Sequence, residues 1–260
     1  MKTLLALLLC WLGLAVQPAS AAVDGPRPLV LAYNAFAPWK NYDSQGQPTG
    51  PYTEIVRELA RRLGMPLRFL HCPLPRCLAA MQHGRADLMI GVQYNPQRAR
   101  YLDYLEPPFA SGNRLALYQR NSDPRSIGSY QDLLPLKVGV VEGVQYQEDF
   151  DNDARLRRDT ALTMESSFRK LAAGRIDALI GNEQQTALLA SSREFAGRVR
   201  RAPLTLDDTR PHRLALALNS PLHADKARFA QTLRAMLDDG SVARILSGLP
   251  LRPTAPAAPR

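Results

Sequence analysis

The stretch Gly84-Arg85-Ala86-Asp87-Leu88-Met89-Ile90-Gly91 recurs 90 residues later as Gly174-Arg175-Ile176-Asp177-Ala178-Leu179-Ile180-Gly181. Each copy follows an amphipathic helical pattern, so its first glycine is placed to close that helix in the left-handed conformation. An Asp then precedes an apolar run of the kind that forms a strand covered on both faces. A chain that uses this helix–Gly–Asp–strand–Gly unit twice is expected to build two lobes on one plan.

The flanking patterns extend the alternation. Leu29–Tyr33 reads as a buried strand, and Tyr52–Leu63 as a helix with Ile55, Val56, Leu59 and Leu63 on one face and Gly64 closing it. Leu67–Leu70 is a second strand, Leu74–Gln82 a short helix and Asp87–Val92 a third strand. The second lobe is expected to hold strand Lys137–Val141, helices Val144–Phe150 and Met164–Ala173, strand Ile176–Ile180 and helix Gln184–Ser192. Strand Arg213–Leu218 and helices Leu222–Asp239 and Val242–Leu246 close the chain. Strand and helix in turn predict an α/β protein with two largely parallel sheets. If the last elements return to the first lobe, two strands cross between lobes, near Phe109–Leu115 and Asp208–Arg213. Lobe 1 then comprises residues 22–111 and 212–260, and lobe 2 residues 112–211. Such a body has a cleft, which ligands enter at the carboxyl ends of strands.

The ends and the charge narrow the setting. Lys2, the apolar run Leu4–Val16 and Ala19-Ser20-Ala21 form a signal-peptide pattern, so residues 1–21 are expected to be removed and the protein to work in the periplasm. That run is too short for a spanning helix, which takes roughly 20 residues. Cys10 sits in a poor lipoprotein context. The net charge of +9 comes from 28 Arg and 5 Lys spread singly or in pairs. Nucleic-acid binders gather such charge in patches interleaved with aromatics, so no nucleic-acid partner is expected. Outside the signal peptide two cysteines remain, Cys72 and Cys77. Their spacing fits neither a redox C-x-x-C pair nor a zinc site. A small structural disulfide is expected in an oxidising compartment, with free thiols the alternative.

The run from Gly84 through Gly91-Val92-Gln93-Tyr94-Asn95-Pro96-Gln97-Arg98, then Tyr101-Leu102-Asp103-Tyr104-Leu105-Glu106-Pro107-Pro108-Phe109, resembles the family 3 periplasmic solute-binding proteins, the amino-acid-binding components of ABC importers. Gly46-x-x-x-Gly50, Val138-Gly139-Val140 with Gly143, and Asp238-Asp239-Gly240 extend the likeness over the mature chain. The resemblance implies a two-lobed type II binding-protein fold and a monomer that presents a small carboxylate-bearing solute to a membrane permease. It places Arg98 on the ligand α-carboxylate, a match that a planar guanidinium makes bidentately. Gly91 and Gln93 fall where backbone groups past the strand meet the ligand. Phe36 and Trp39 fall in the loop that covers it. Gly143, opening a helix ahead of Val144, offers free N–H groups to an anion.

One departure stands out. Where amino-acid binders of this family carry an Asp for the α-ammonium, this chain has Asn182, followed by Glu183; Val144 replaces a common Thr. A lost charge-assisted bond is worth roughly 1.5–3 kcal/mol, so Glu183 or Glu142 substitutes or the solute lacks the ammonium. The chain has no nucleophile elbow, zinc-protease helix, phosphate loop or dinucleotide fingerprint. Its four histidines, at 71, 83, 212 and 223, form no metal-ligand spacing. No enzyme activity, metal or cofactor is therefore expected. The alternatives are a sensor docking on a membrane receptor and, further off, a dehydratase-like enzyme using Glu183 or Glu142.

Overall fold

A computed structural model of the protein describes residues 26–247. The signal-peptide segment and the Pro- and Ala-rich tail from Leu249 lie outside the described residues. In chain order the elements are β1 (Leu29–Tyr33), β2 (Asn41–Tyr42), β3 (Pro48–Thr49), α1 (Pro51–Leu63), β4 (Leu67–His71), α2 (Leu74–Gln82), β5 (Leu88–Val92), β6 (Leu102–Tyr104) and β7 (Ala110–Arg120). There follow β8 (Lys137–Val141), α3 (Glu148–Asn152), β9 (Arg157–Ala161), α4 (Met164–Ala172), β10 (Ala178–Asn182), α5 (Glu183–Ala190), β11 (Val199–Ala217), α6 (Lys226–Asp238) and α7 (Ser241–Leu246).

Lobe 1 is built on the order β4-β1-β5-β11, with β1 parallel to both β4 and β5. Only the last part of β11, Arg213–Ala217, belongs here; it runs antiparallel between β5 and β6. One face of this sheet carries Leu29, Leu31, Leu88 and Ile90 against α1, α6 and α7, and the other carries Ala32 and Met89 against α2. Lobe 2 follows the order β7-β10-β8-β9, with β8 parallel to β10 and β9. The lobes are joined by β7 and β11, which pair antiparallel from Val199↔Arg120 to His212↔Ala110. The architecture is thus α/β, two largely parallel sheets connected by two long crossing strands.

The repeated unit does the same work in both lobes. In the first copy Asp87 N–H donates to the Val30 carbonyl (2.8 Å) while Val30 N–H donates to Asp87 Oδ2 (2.9 Å). In the second, Asp177 N–H donates to the Lys137 carbonyl and Lys137 N–H donates to Asp177 Oδ2, both at 2.9 Å. Each Asp therefore stitches its own strand to the start of the neighbouring parallel strand, where a ladder hydrogen bond would otherwise be missing. The preceding Gly84 and Gly174 take φ of +66° and +73°, as helix closure requires.

Three local expectations are corrected. The helix placed over Val144–Phe150 is only α3, from Glu148. Gly143 (φ +75°) instead makes a turn in which Val144 N–H donates to the Val141 carbonyl. Tyr146 N–H then donates to the Asp151 carboxylate, and Val141 N–H donates to the Tyr146 hydroxyl at 2.7 Å. The segment's polar groups are satisfied without helix, so Gly143 opens none and gains no helix N-terminus. The strand placed at Arg213–Leu218 extends back to Val199. The helix from Leu222 is a 3₁₀ turn, Pro221–Asp225, followed by α6.

Cys72 and Cys77 form a disulfide that ties the end of β4 to α2. Closing so short a loop restrains the unfolded chain by about 2 kcal/mol in the chain-entropy model. Cys72→Ala with Cys77→Ala is accordingly expected to lower stability by about 2 kcal/mol, read from the urea midpoint; an unchanged midpoint would make the bond dispensable to the fold.

Candidate functional site

Between the lobes lies a cavity of about 460 Å³. Lobe 1 contributes the residues after β1 (Asn34, Ala35, Phe36, Ala37), the hairpin pair Asn41 and Tyr42, and the end of β4 with the start of α2 (His71, Cys72, Pro73, Leu74). Lobe 2 contributes Val141, Val144, Gln145 and Tyr146 after β8, Leu162–Glu165 after β9, and Asn182 with Gln185 at the end of β10. Asn113 and Leu115 of β7 form the floor. Every wall except the hairpin and the floor stands at the carboxyl end of a parallel strand, where α/β sheets leave room for ligands.

The lining is rich in amides. Asn182, 8% exposed, ends β10 and caps α5: its Oδ1 accepts from Gln184 N–H (2.9 Å) and Gln185 N–H (3.4 Å). Its Nδ2 donates to Asn113 Oδ1 at 3.0 Å, and Asn113 Nδ2 lies 2.8 Å from His212 Nε2. Because the Asn113 amide can only donate there, His212 is the acceptor and is uncharged. Burial agrees, pushing the His212 imidazole down to about 4. This directed chain runs from lobe 2 through the floor to β11, and it turns the second-lobe Asn into a fixed neutral group. Gln145 Oε1 is buried and has no hydrogen-bond partner among the described residues. Such an acceptor costs free energy unless a ligand donor meets it.

The predicted residues divide into two groups. Phe36, Val144 and Asn182 line the cavity. Trp39, 2% exposed, lies outside the lining, stacked on Phe36 at 4.8 Å and tilted against Tyr52 at 6.1 Å. Gly91 lies beneath the Tyr52 ring and forms a bulge, the pairing stepping from Arg213↔Val92 to Leu214↔Ile90. Gln93, 7% exposed, donates from Nε2 to Asp208 Oδ2 at 2.6 Å. Arg98 stands in a 3₁₀ turn outside the lining, and its Nη2 donates to the Gly143 carbonyl of lobe 2. Burial lowers the pKa of this guanidinium, and it forms no ion pair with a carboxylate among the described residues. Leu74 and Leu78 of α2 pack over Gly143 beside that bond, so it belongs to the contact between lobes. Glu183 pairs with Arg201 at 2.5 Å, and Glu142 is exposed; neither lines the cavity.

Sequence reading missed Asn34, Asn113, Gln145 and Glu165. Asn34, Gln145 and Glu165 follow strand ends, a signal that was available; Asn113 sits within a crossing strand and carries none. Among the described residues no cluster of His, Cys, Asp or Glu could hold a metal ion, and no helix is long and apolar enough to cross a membrane.

Two lobes on one plan, closing on a cavity at their strand ends with amides among its lining, define a solute-binding protein. The model of the bacterial extracellular solute-binding proteins, family 3, matches residues 29–247, and the chain belongs to that family. It is 26% identical over 223 residues to the amino-acid-binding protein AabA of Dichelobacter nodosus, covering 82% of this chain and 84% of that one. It is 25% identical to the histidine-binding periplasmic protein of Escherichia coli (strain K12) over 153 residues, 57% of each chain. Among solved structures, a histidine kinase sensor domain with similarity to periplasmic binding proteins superposes with a TM-score of 0.73 at 21% identity, over 88% of this chain and 99% of that one. An ancestral arginine-binding protein bound to arginine gives 0.71 at 21% identity, over 86% and 98%. These structural likenesses establish the fold.

Proposed function

We propose that the protein works in the periplasm, where lobe 1 (residues 22–111 and 212–260) and lobe 2 (residues 112–211) close on an amino acid or related carboxylate-bearing solute for delivery to an ABC importer. The observation that carries this reading is the cavity itself, lined from both lobes by amides, with the Gln145 Oε1 acceptor awaiting a donor. An α-ammonium supplies that donor, so the Asn in place of the family's Asp does not exclude an amino acid. Phe36 covers the solute, and Asn182 meets it from lobe 2. Binding shifts the open–closed balance by what the solute gains in the closed form alone. Arg98 acts in that form by bonding lobe 1 to Gly143. The reading assigns binding without a catalytic group, metal or cofactor. Docking on a membrane sensor is the second reading, supported by the sensor domain of like fold.

The test is a thermal-shift screen of protein unfolded and refolded to remove bound solute, against amino acids, amines, dicarboxylates and aromatic acids. A ligand at 100 times its Kd adds about 2.7 kcal/mol of stability, a shift of several degrees. Shifts confined to solutes without a carboxylate would sink the reading. For any solute that binds, Arg98→Ala is expected to weaken affinity about tenfold or more, the value of a charge-assisted bond lost from the closed form. Unchanged calorimetric affinity would remove Arg98 from closure.

A further inference from the structure

Both strands that join the lobes break their pairing at the same level. Asp208 pairs with Asn113 and Pro211 with Ser111, so Thr209 and Arg210 of β11 face the single Gly112 of β7, which has φ +76°. A bulge leaves its extra residue outside the ladder and glycine bends at little cost, which places the hinge between the lobes at this level. Polar side chains brace the break from both sides. Asp208, 3% exposed, accepts from Gln93 Nε2 of lobe 1 at 2.6 Å and from Arg210 Nε and Nη2 at 2.8 and 3.1 Å. Arg210 reaches on to Asp151 of α3 at 3.9 Å, and the Asp151 carboxylate accepts from Tyr146 N–H at 3.0 and 3.2 Å. A chain of bonds thus runs from the end of β5, through the hinge, to the Val144–Tyr146 wall of the cavity, while neither Asp208 nor Arg210 lines that cavity. Resting on the solute-binding reading above, we propose that Asp208 and Arg210 are positioning residues for solute binding: they latch the hinge in the closed arrangement and hold the lobe 2 wall in place without touching the solute.

A buried carboxylate is tolerated only when it is paired and hydrogen-bonded, so Asp208 needs its donors. Those donors stand on different bodies. Asp208 is fixed to lobe 2 through Asn113, whereas Gln93 follows Val92, whose partner Arg213 lies beyond the hinge in lobe 1. Rotation of the lobes about the break therefore carries Gln93 away from Asp208, and a charge-assisted bond present in the closed form is lost on opening. Arg98 completes the frame on the far side of the wall. Its Nη2 donates to the Gly143 carbonyl, one residue before Val144, and the charges of Arg210 and Asp151 both act on it. A solute that binds the closed form gains apparent affinity in proportion to the share of empty protein already in that form. The latch raises that share.

The experiment compares wild type with the double variant Asp208→Asn with Arg210→Gln, which removes both charges together and leaves neither buried alone. Small-angle scattering reads the lobe arrangement of stripped protein, empty and then saturated with whichever amino acid, amine or acid of the thermal-shift screen binds wild type. Titration calorimetry reads the affinity for the same compounds. The empty double variant is expected to scatter as a more open body than empty wild type and to bind about tenfold more weakly. Arg210→Lys, which keeps a cation beside Asp208, is expected to restore most of both. Glu194→Gln, which breaks an exposed lobe 2 pair with Arg169 at 2.7 Å, is expected to change neither. The urea midpoint separates the latch from the fold: a lowered midpoint with wild-type scattering and affinity makes the pair structural and overturns the proposal, as does no change at all. A change in scattering alone, or in affinity alone, overturns it too, because the latch links the two. In each of these cases the solute-binding reading stands. If no compound of the screen shifts stripped wild type, that reading falls and takes the proposal with it.

Discussion

Gly91→Ala is expected to destabilise the protein by about 3 kcal/mol, although it adds a single methyl group to a buried strand. Gly91 has φ +78°, and a Cβ there would lie 2.7 Å from Tyr52 Cε2 and 2.9 Å from Cδ2. The left-handed backbone alone costs an L-residue roughly 1–2 kcal/mol, and forcing atoms into a filled site typically adds about 1–3 kcal/mol. Tyr52 has no room to give way. It is 3% exposed, with Phe109 edge-on at 4.9 Å and Trp39 at 6.1 Å. The site lies beside the floor of the cavity, since the Tyr52 ring also approaches His212 at 6.3 Å. A urea midpoint that moves by less than the equivalent of about 1 kcal/mol would show that the bulge relaxes freely.

Asp87→Ala is the second large effect, again about 3 kcal/mol, and its counterpart Asp177→Ala should cost about a third of that. Both carboxylates stitch a strand start, but their surroundings differ. Asp87 is 1% exposed and accepts from Val30 N–H, from Ser220 Oγ at 2.6 Å and from Arg27 at 2.9 Å. Its removal leaves the Val30 N–H and the Ser220 hydroxyl proton without their acceptor, although Ser220 Oγ still accepts from Leu222 N–H, and each unsatisfied donor costs roughly 1–3 kcal/mol. The Asp177 side chain is 31% exposed, and its partner Arg125 keeps a second carboxylate in Asp123 at 2.6 Å. Water and Asp123 therefore make good most of that loss. Chemical denaturation of both variants checks the ranking; equal losses would mean that burial does not set it.

Legibility followed local chemistry. The α1 helix was readable because Pro51 opens it, Gly64 closes it and its apolar residues fall on one face; α2 and the paired strands of the repeat were equally plain. Strand β9 escaped because Arg157-Arg158-Asp159-Thr160 is polar and lies at the sheet edge, where no apolar run is required. The length of β11 escaped because Pro203 and Pro211 interrupt its pattern. In the structure both fall at register shifts, between Arg201 and Thr205 and between Asp208 and Pro211, where a missing N–H is tolerated. In the site, the family resemblance reached Phe36, Val144 and Asn182. It did not foresee that Arg98 bonds to the opposite lobe's backbone. Nor could it find Asp208: an aspartate in sequence reads as surface, and only packing reveals one that is buried.

The last part of β11 is the strand against which β5 and β6 pair in lobe 1, and α6 and α7 cover α1. Lobe 2, by contrast, is closed within one uninterrupted stretch of chain, apart from its shared crossing strands. An emerging polypeptide therefore holds everything lobe 2 needs while β5 still has an open edge and α1 an uncovered apolar face. Completion of lobe 1 waits for roughly the final fifth of the chain. Until those C-terminal elements pair with it, the stretch from β1 to β5 keeps an unpaired strand edge and an uncovered helix face.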